Sequence, residues 1–140
     1  MATVTVSCSY GSAPERVFKA LTEPAIARQW LFATPGGEMI RAETDLRVGG
    51  GFNLTERRED VDVAHIGTYV VVEPPCRLVF DFKVEPYSEG QSTRVSADIV
   101  PSGDGSTLTL THEGVWEGWE ERTQQGWEFL LGQLGGVLGE

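Results

Sequence analysis

The hydrophobic period of this chain changes once, near residue 116. Upstream, apolar residues recur at every second position in short runs broken by turn residues. Downstream, Trp116, Trp119, Thr123, Trp127, Leu130 or Leu131, Leu134 and Leu138 recur every three to four positions. A period of two marks a half-buried strand, and a period near 3.6 marks an amphipathic helix. The pattern predicts a β-rich body closed by one long helix over residues 116–138. Glu117, Glu120 and Glu121 suit the positive end of that helix. Glycines at 118, 126, 132, 135 and 136 oppose it, each costing about 1 kcal/mol relative to alanine. Packing against the sheet must therefore hold the helix in place.

The β-rich body divides at its turn signals. Val4, Val6, Cys8 and Tyr10 alternate with Thr3, Thr5, Ser7 and Ser9, which predicts a first strand. Ser12 stands three residues before Glu15, the spacing of a reciprocal helix cap, and Pro14 suits a first helical turn. A short helix follows from there, turning Val17, Phe18 and Leu21 inward. Pro24 restarts the backbone for a second short helix, with Ile26 and Trp30 on one face. Six further β-rich runs follow, over 39–46, 52–58, 64–72, 78–85, 93–100 and 107–112. Turns are expected at Gly49-Gly50-Gly51, Pro74-Pro75, Ser88-Glu89-Gly90 and Ser102-Gly103-Asp104-Gly105. In the last two runs Val95, Ala97, Ile99, Leu108 and Leu110 share one parity, giving one dry face and one wet face.

Composition narrows the function classes. One domain over residues 1–140 is expected, because 140 residues suffice for a single core. The formal net charge of −10 would repel a phosphate backbone, so nucleic acid is not an expected partner. No apolar run approaches the roughly 20 residues that span a bilayer, and no basic-then-apolar leader opens the chain. Membrane insertion is not expected and a cytoplasmic location is. Cys8 and Cys76 have no ligand-like spacing. The two histidines, His65 and His112, are not spaced with a carboxylate or thiol as a metal set would be. No metal or other cofactor is implied.

Specific segments then carry a resemblance along nearly the whole chain. They are Ala13-Pro14-Glu15-Arg16-Val17-Phe18-Lys19-Ala20-Leu21-Thr22 with Trp30 downstream, Gly50-Gly51-Phe52, and Gly67-Thr68-Tyr69 leading to Glu73-Pro74-Pro75-Cys76-Arg77-Leu78-Val79-Phe80. Further on come Thr107-Leu108-Thr109-Leu110-Thr111-His112-Glu113-Gly114 and Gly126-Trp127. Together they resemble the family of homologues of the heat-shock chaperone ATPase activator, within the superfamily that includes START domains and the birch pollen allergen. The resemblance implies an α+β helix-grip fold, in which about seven antiparallel strands curve around the C-terminal helix and enclose a cavity. It also implies binding of an apolar or amphipathic small molecule, and it permits a homodimer. Chaperone activation is not implied, because the activator's chaperone binding also depends on another domain.

The candidate ligand-binding residues follow from strand parity and the helix stripe. Phe52, Leu54, Tyr69, Phe80, Phe82, Val95, Leu110 and His112 are expected on the concave face, opposite Trp127 and Leu131, with Trp30 near the rim. Tyr69 and His112 would supply the polar contacts. No serine elbow is present and neither cysteine has a histidine placed for it by sequence, so no residue is assigned as catalytic. An enzyme using His112 as acid or base is the alternative reading, and a protein-interaction domain is the third.

Overall fold

The computed structural model describes residues 2–85 and 91–140. Its elements are β1 (Ala2–Tyr10), α1 (Pro14–Thr22), α2 (Pro24–Ala27), β2 (Glu38–Thr44), β3 (Gly51–Arg58), β4 (Val61–Glu73), β5 (Arg77–Glu85), β6 (Thr93–Ser102), β7 (Gly105–Val115) and α3 (Glu120–Val137). The strands form one antiparallel sheet in the order β1-β7-β6-β5-β4-β3-β2. This is the helix-grip α+β fold expected: two short helices after the first strand, seven strands curving, and a long final helix. The turn expected at Ser88-Glu89-Gly90 lies outside the described residues.

Local chemistry explains most boundaries. Pro14 opens α1, whose buried face carries Val17, Phe18, Ala20 and Leu21. Pro24 holds Glu23 in an extended conformation (φ −84°, ψ 122°), which ends α1 and starts α2. The expected Ser12–Glu15 cap does not form. Ala13 is the capping residue of α1 and makes no side-chain cap bond. Ser12 Oγ instead donates to Glu140 Oε2 (2.7 Å) and accepts from Arg16 Nη1 (3.1 Å). Ser12 lies one residue too early to cap, and a carboxylate arriving from the far end of the chain takes its hydroxyl.

The final helix starts later than the period suggests. β7 runs on to Val115, and α3 begins only at Glu120. The backbone takes left-handed conformations at Gly114 (φ 83°), next to last in β7, and at Gly118 (φ 91°) in the connection, which glycine adopts without steric cost. Trp116 and Trp119 therefore stand in a turn rather than on a helical stripe, 41% and 47% exposed. Their three-residue spacing imitates a helix that the glycines forbid.

One core fills the space between sheet and α3. Val4, Val6 and Tyr10 of β1, Val95, Ala97 and Ile99 of β6, and Leu108 and Leu110 of β7 meet Trp127, Leu131, Leu134 and Leu138 there. Tyr10 Oη donates to Leu131 O at 2.7 Å, tying the end of β1 to the helix backbone. At Gly67 a Cβ would sit 2.0 Å from Phe52 Cε2, so the Phe52 ring lies directly on a backbone that only glycine leaves open. Within α3, a Cβ at Gly126, Gly132 or Gly136 would meet nothing within 4 Å. These glycines border open space and not the interior of the domain.

Candidate functional site

Strand register sets side chains in rows across the concave face. Tyr69, Phe80, Val95, His112 and Val4 are successive neighbours across five strands. Gly67 stands between Phe52 and Phe82, and His65 between Leu54 and Val84. All eleven residues expected to line a cavity are buried: Trp30, Phe52, Leu54, Tyr69, Phe80, Phe82, Val95, Leu110, His112, Trp127 and Leu131. Tyr69 lies 5.9 Å from Phe52 between ring centroids.

Most of these side chains pack against one another as core and do not border an open volume. Phe32, which the sequence reading did not place, adds a ring to that core. It leaves the turn after α2 in a left-handed conformation (φ 59°) and sends its ring between sheet and helix. There it stacks on His65 (4.4 Å between centroids, planes 2° apart) and Phe82 (4.9 Å) and meets Trp127 edge-on (5.7 Å). Trp30, expected at a rim, is fully buried instead, with Nε1 donating to Ala20 O at 2.8 Å.

Two elements, β3 and α3, hold the turn that carries Phe32. Glu56, on the inward parity of β3, accepts from Thr34 N (2.8 Å) and Thr34 Oγ1 (2.7 Å), and from Arg58 Nε. Arg58 Nη2 also donates to Phe32 O at 3.1 Å. From α3, Gln133 Nε2 donates to Trp30 O (3.1 Å) and Ala33 O (2.8 Å). Burial opposes the charge on Glu56, but the bonds from Arg58 and Thr34 outweigh it and hold the carboxyl below its usual range.

An open volume lies further along, where β5 and β7 end, β6 begins and the turn leads into α3. It measures about 330 Å³, the size of a small-molecule site. Phe82 and His112 form its inner side, and Val84 and Val115 add aliphatic surface. Thr93, Ser92, Gln91 and Thr123 bring polar groups, and Trp116 and Trp119 stand at the mouth. Arg122 lies over the Trp119 ring, 4.9 Å from its centroid. Of the eleven expected residues, Phe82 and His112 line this pocket. Phe52 borders a second hollow at the β2–β3 edge, beside Glu43 and Asp45, whose carboxylates pair with Arg41 and Arg47.

His112 sits in a directed chain of hydrogen bonds. Trp127 Nε1–H can only donate, so it donates a hydrogen bond to the unprotonated His112 Nδ1 (3.1 Å). That makes Nε2 the protonated nitrogen, donating to Thr93 Oγ1 (2.7 Å), and the Thr93 hydroxyl in turn points to Phe82 O (3.4 Å). Burial pushes the imidazole down to about 4, so the ring is neutral. Its one acceptor lone pair is occupied by Trp127. His65 is likewise buried and neutral, lowered to about 4 chiefly by burial, with Nδ1–H donating to Leu54 O at 3.1 Å.

Sequence reasoning found His112 but not Thr93, although Thr93 shares the parity of Val95. His65 was legible in the same way, two residues before Gly67 on the parity of Tyr69. Phe32 had no such signal, because it belongs to no period. Among the described residues no group of three His, Cys, Asp or Glu side chains could hold a metal ion, and no helix is long and apolar enough to cross a membrane. Cys8 and Cys76 are free thiols.

The profile of the family described as activator of Hsp90 ATPase homolog 1-like protein matches residues 12–139. The chain belongs to this family. Solved structures of similar fold accompany the activator-homologue match. Protein NE0264 of Nitrosomonas europaea is 18% identical, covering 98% of this chain and 94% of its own, with a TM-score of 0.82. Protein CV1439 of Chromobacterium violaceum is 22% identical over 96% and 95%, with a TM-score of 0.83. CalU16 of Micromonospora echinospora is 26% identical over 96% of this chain and 74% of its own, with a TM-score of 0.74. No curated protein sequence matches this member of the activator-homologue family.

Proposed function

We propose that this chain binds an apolar or amphipathic small molecule in the pocket at the β5–β7 end of the sheet. The observation that carries the reading is the pair Trp116 and Trp119, half-exposed at the mouth of a mostly apolar pocket of about 330 Å³. Aromatic side chains left accessible around a concave apolar surface are what a ligand of that character would cover. Family membership supports the reading, since the fold commonly holds hydrophobic ligands. Thr123, Ser92 and Gln91 offer hydrogen bonds and Lys83 brings a charged ammonium to the lining, which suits a polar end on an otherwise apolar ligand.

An enzymatic role for His112 is less well supported. The residue has a polar neighbour in Thr93, but a general base needs a free lone pair and this one accepts the Trp127 hydrogen bond. A protein-docking role finds less support still, because other exposed hydrophobics such as Ile40, Val61, Val100 and Phe129 are dispersed over four elements. The test is titration with the fluorophore 8-anilinonaphthalene-1-sulfonate. The folded protein is expected to enhance its emission, and both Trp119→Ala and the pocket-filling Thr123→Trp are expected to weaken binding at least fivefold. Equal affinity in all three proteins would refute the pocket as the binding site.

A further inference from the structure

One group that can only give sets the direction of the hydrogen bonds leading to the pocket. The Trp127 indole N–H donates to His112 Nδ1 at 3.1 Å, which leaves the imidazole proton on Nε2. Nε2–H donates to Thr93 Oγ1 at 2.7 Å, so the Thr93 oxygen accepts there and its own proton must go elsewhere. The acceptor at hand is Phe82 O, 3.4 Å away, well beyond the roughly 2.7–2.8 Å at which hydroxyl bonds are commonest. The chain thus starts at a buried indole and ends on a weakly engaged O–H. That O–H belongs to a half-buried residue lining the pocket at the start of β6. Beside it, a Cβ at Gly114 would stand 3.7 Å from Thr93 Cγ2 and cover that flank, which the glycine leaves open. Burial of His112 requires only that both ring nitrogens find partners. It does not require the second partner to be a hydroxyl on the pocket wall with a proton still to give.

We propose that Thr93 is the specificity-determining residue of the pocket, its hydroxyl donating to a carbonyl oxygen on an otherwise apolar ligand. The inference rests on the proposed binding function and names the polar end of its ligand. A hydrocarbon of the same shape fills the same volume but leaves the hydroxyl on its long bond to Phe82 O. Donors in a run of hydrogen bonds strengthen one another, so the indole and imidazole make this O–H a better donor than an isolated threonine. Trp127 and His112 act through Thr93 as positioning residues. The other polar lining groups are less directed: Gln91 and Ser92 are exposed, and the Lys83 ammonium lies 3.7 Å from Glu85 Oε1. With that cation paired, a neutral carbonyl suits the Thr93 donor better than a carboxylate, whose charge would have to be desolvated against the apolar wall.

The test uses the full chain and two probes of matched shape, the ketone 2-acetylnaphthalene and the hydrocarbon 2-isopropylnaphthalene. Each is titrated against wild type, Thr93→Val and Thr93→Ser while the Trp116 and Trp119 indole N–H signals are followed by NMR. The ratio of the two affinities, ketone over hydrocarbon, is expected to fall at least fivefold in Thr93→Val and to stay within twofold of wild type in Thr93→Ser. The carbonyl carbon of isotope-labelled ketone is expected to move downfield of its position in a hydrocarbon solvent when bound to wild type, and not when bound to Thr93→Val. An affinity ratio unchanged in Thr93→Val overturns the proposal, as does a wild-type carbonyl carbon at its hydrocarbon-solvent position. Either of those results, with the hydrocarbon still bound at the two tryptophans, leaves the pocket reading standing. If neither probe moves the indole signals at saturation, the pocket reading falls and the proposal falls with it. Should Thr93→Val not fold, the wild-type carbonyl shift and the nitrogen NMR spectrum of His112 decide, and an imidazole protonated on Nδ1 overturns the proposal.

Discussion

Acidification through the range where an exposed histidine titrates should destabilise this protein steeply. His65 and His112 are 5% and 9% exposed, and burial lowers each from the ordinary 6.5 to about 4. The unfolded chain therefore binds two protons between those values that the folded chain refuses, so stability is full above about pH 6.5 and falls as pH drops toward 4. A difference of 6.5 − 4 = 2.5 units, at about 1.36 kcal/mol per unit, makes the loss roughly 3 kcal/mol per histidine. Two residues give a slope of about 2.7 kcal/mol per pH unit midway, and a total of about 7 kcal/mol against a typical domain stability of about 5–15 kcal/mol. Glu56, held below the usual carboxylate range, adds stability that begins to be lost as pH falls below the ordinary 4.5, so its window opens at the acid end of the histidines'. The assay is urea unfolding followed by tryptophan fluorescence at pH 7, 6, 5 and 4, with imidazole proton shifts recorded in parallel. His112→Gln is expected to halve the slope. Imidazole midpoints near 6.5, or a stability that stays level between pH 6.5 and 4, would refute the reasoning.

Three further expectations concern stability. Trp127 is 5% exposed, packs against Phe32 and donates the hydrogen bond that occupies His112 Nδ1, so Trp127→Ala should cost about 3–5 kcal/mol in chemical denaturation; a cost below about 1 kcal/mol would mean the aromatic cluster contributes little. Gly132→Ala should stabilise α3 by about 0.5–1 kcal/mol, because a Cβ there meets nothing within 4 Å. Gly67→Ala should destabilise, since its Cβ would lie 2.0 Å from the Phe52 ring. Equal melting temperatures for the two variants would contradict both assignments.

How much of this was legible in the sequence depends on whether a residue belonged to a period. Val95, Ala97, Leu108 and Leu110 lie in strands where a one-residue slip would expose the whole apolar set, so their faces follow from alternation alone. The same rule carried Tyr69, Phe80, Phe82 and His112 to the concave face. It misplaced Trp116 and Trp119, because a helical interval there coincides with two glycines at positive φ, and conformation overrides spacing. It misread Ser12, whose partner, Glu140, lies at the opposite end of the chain. Position on the concave face also did not reveal where the empty volume lies. Nor did it reveal Phe32, a turn residue whose ring joins the core while Glu56, Arg58 and Gln133 hold its turn by long-range bonds. The lining was expected to face Trp127 and Leu131, and a pocket lies at the start of the helix, around residues that include Val84, Val115 and Thr123.

The central claim is that the outer pocket holds a small molecule, and native mass spectrometry of freshly purified protein tests it most directly. Wild type is expected to carry an additional mass of a few hundred daltons that organic extraction removes, and Thr123→Trp, which fills the pocket, is expected to lack it. A wild type that flies at its bare sequence mass and gains none when soaked with apolar extracts, or a Thr123→Trp protein that retains the same adduct, would contradict the account.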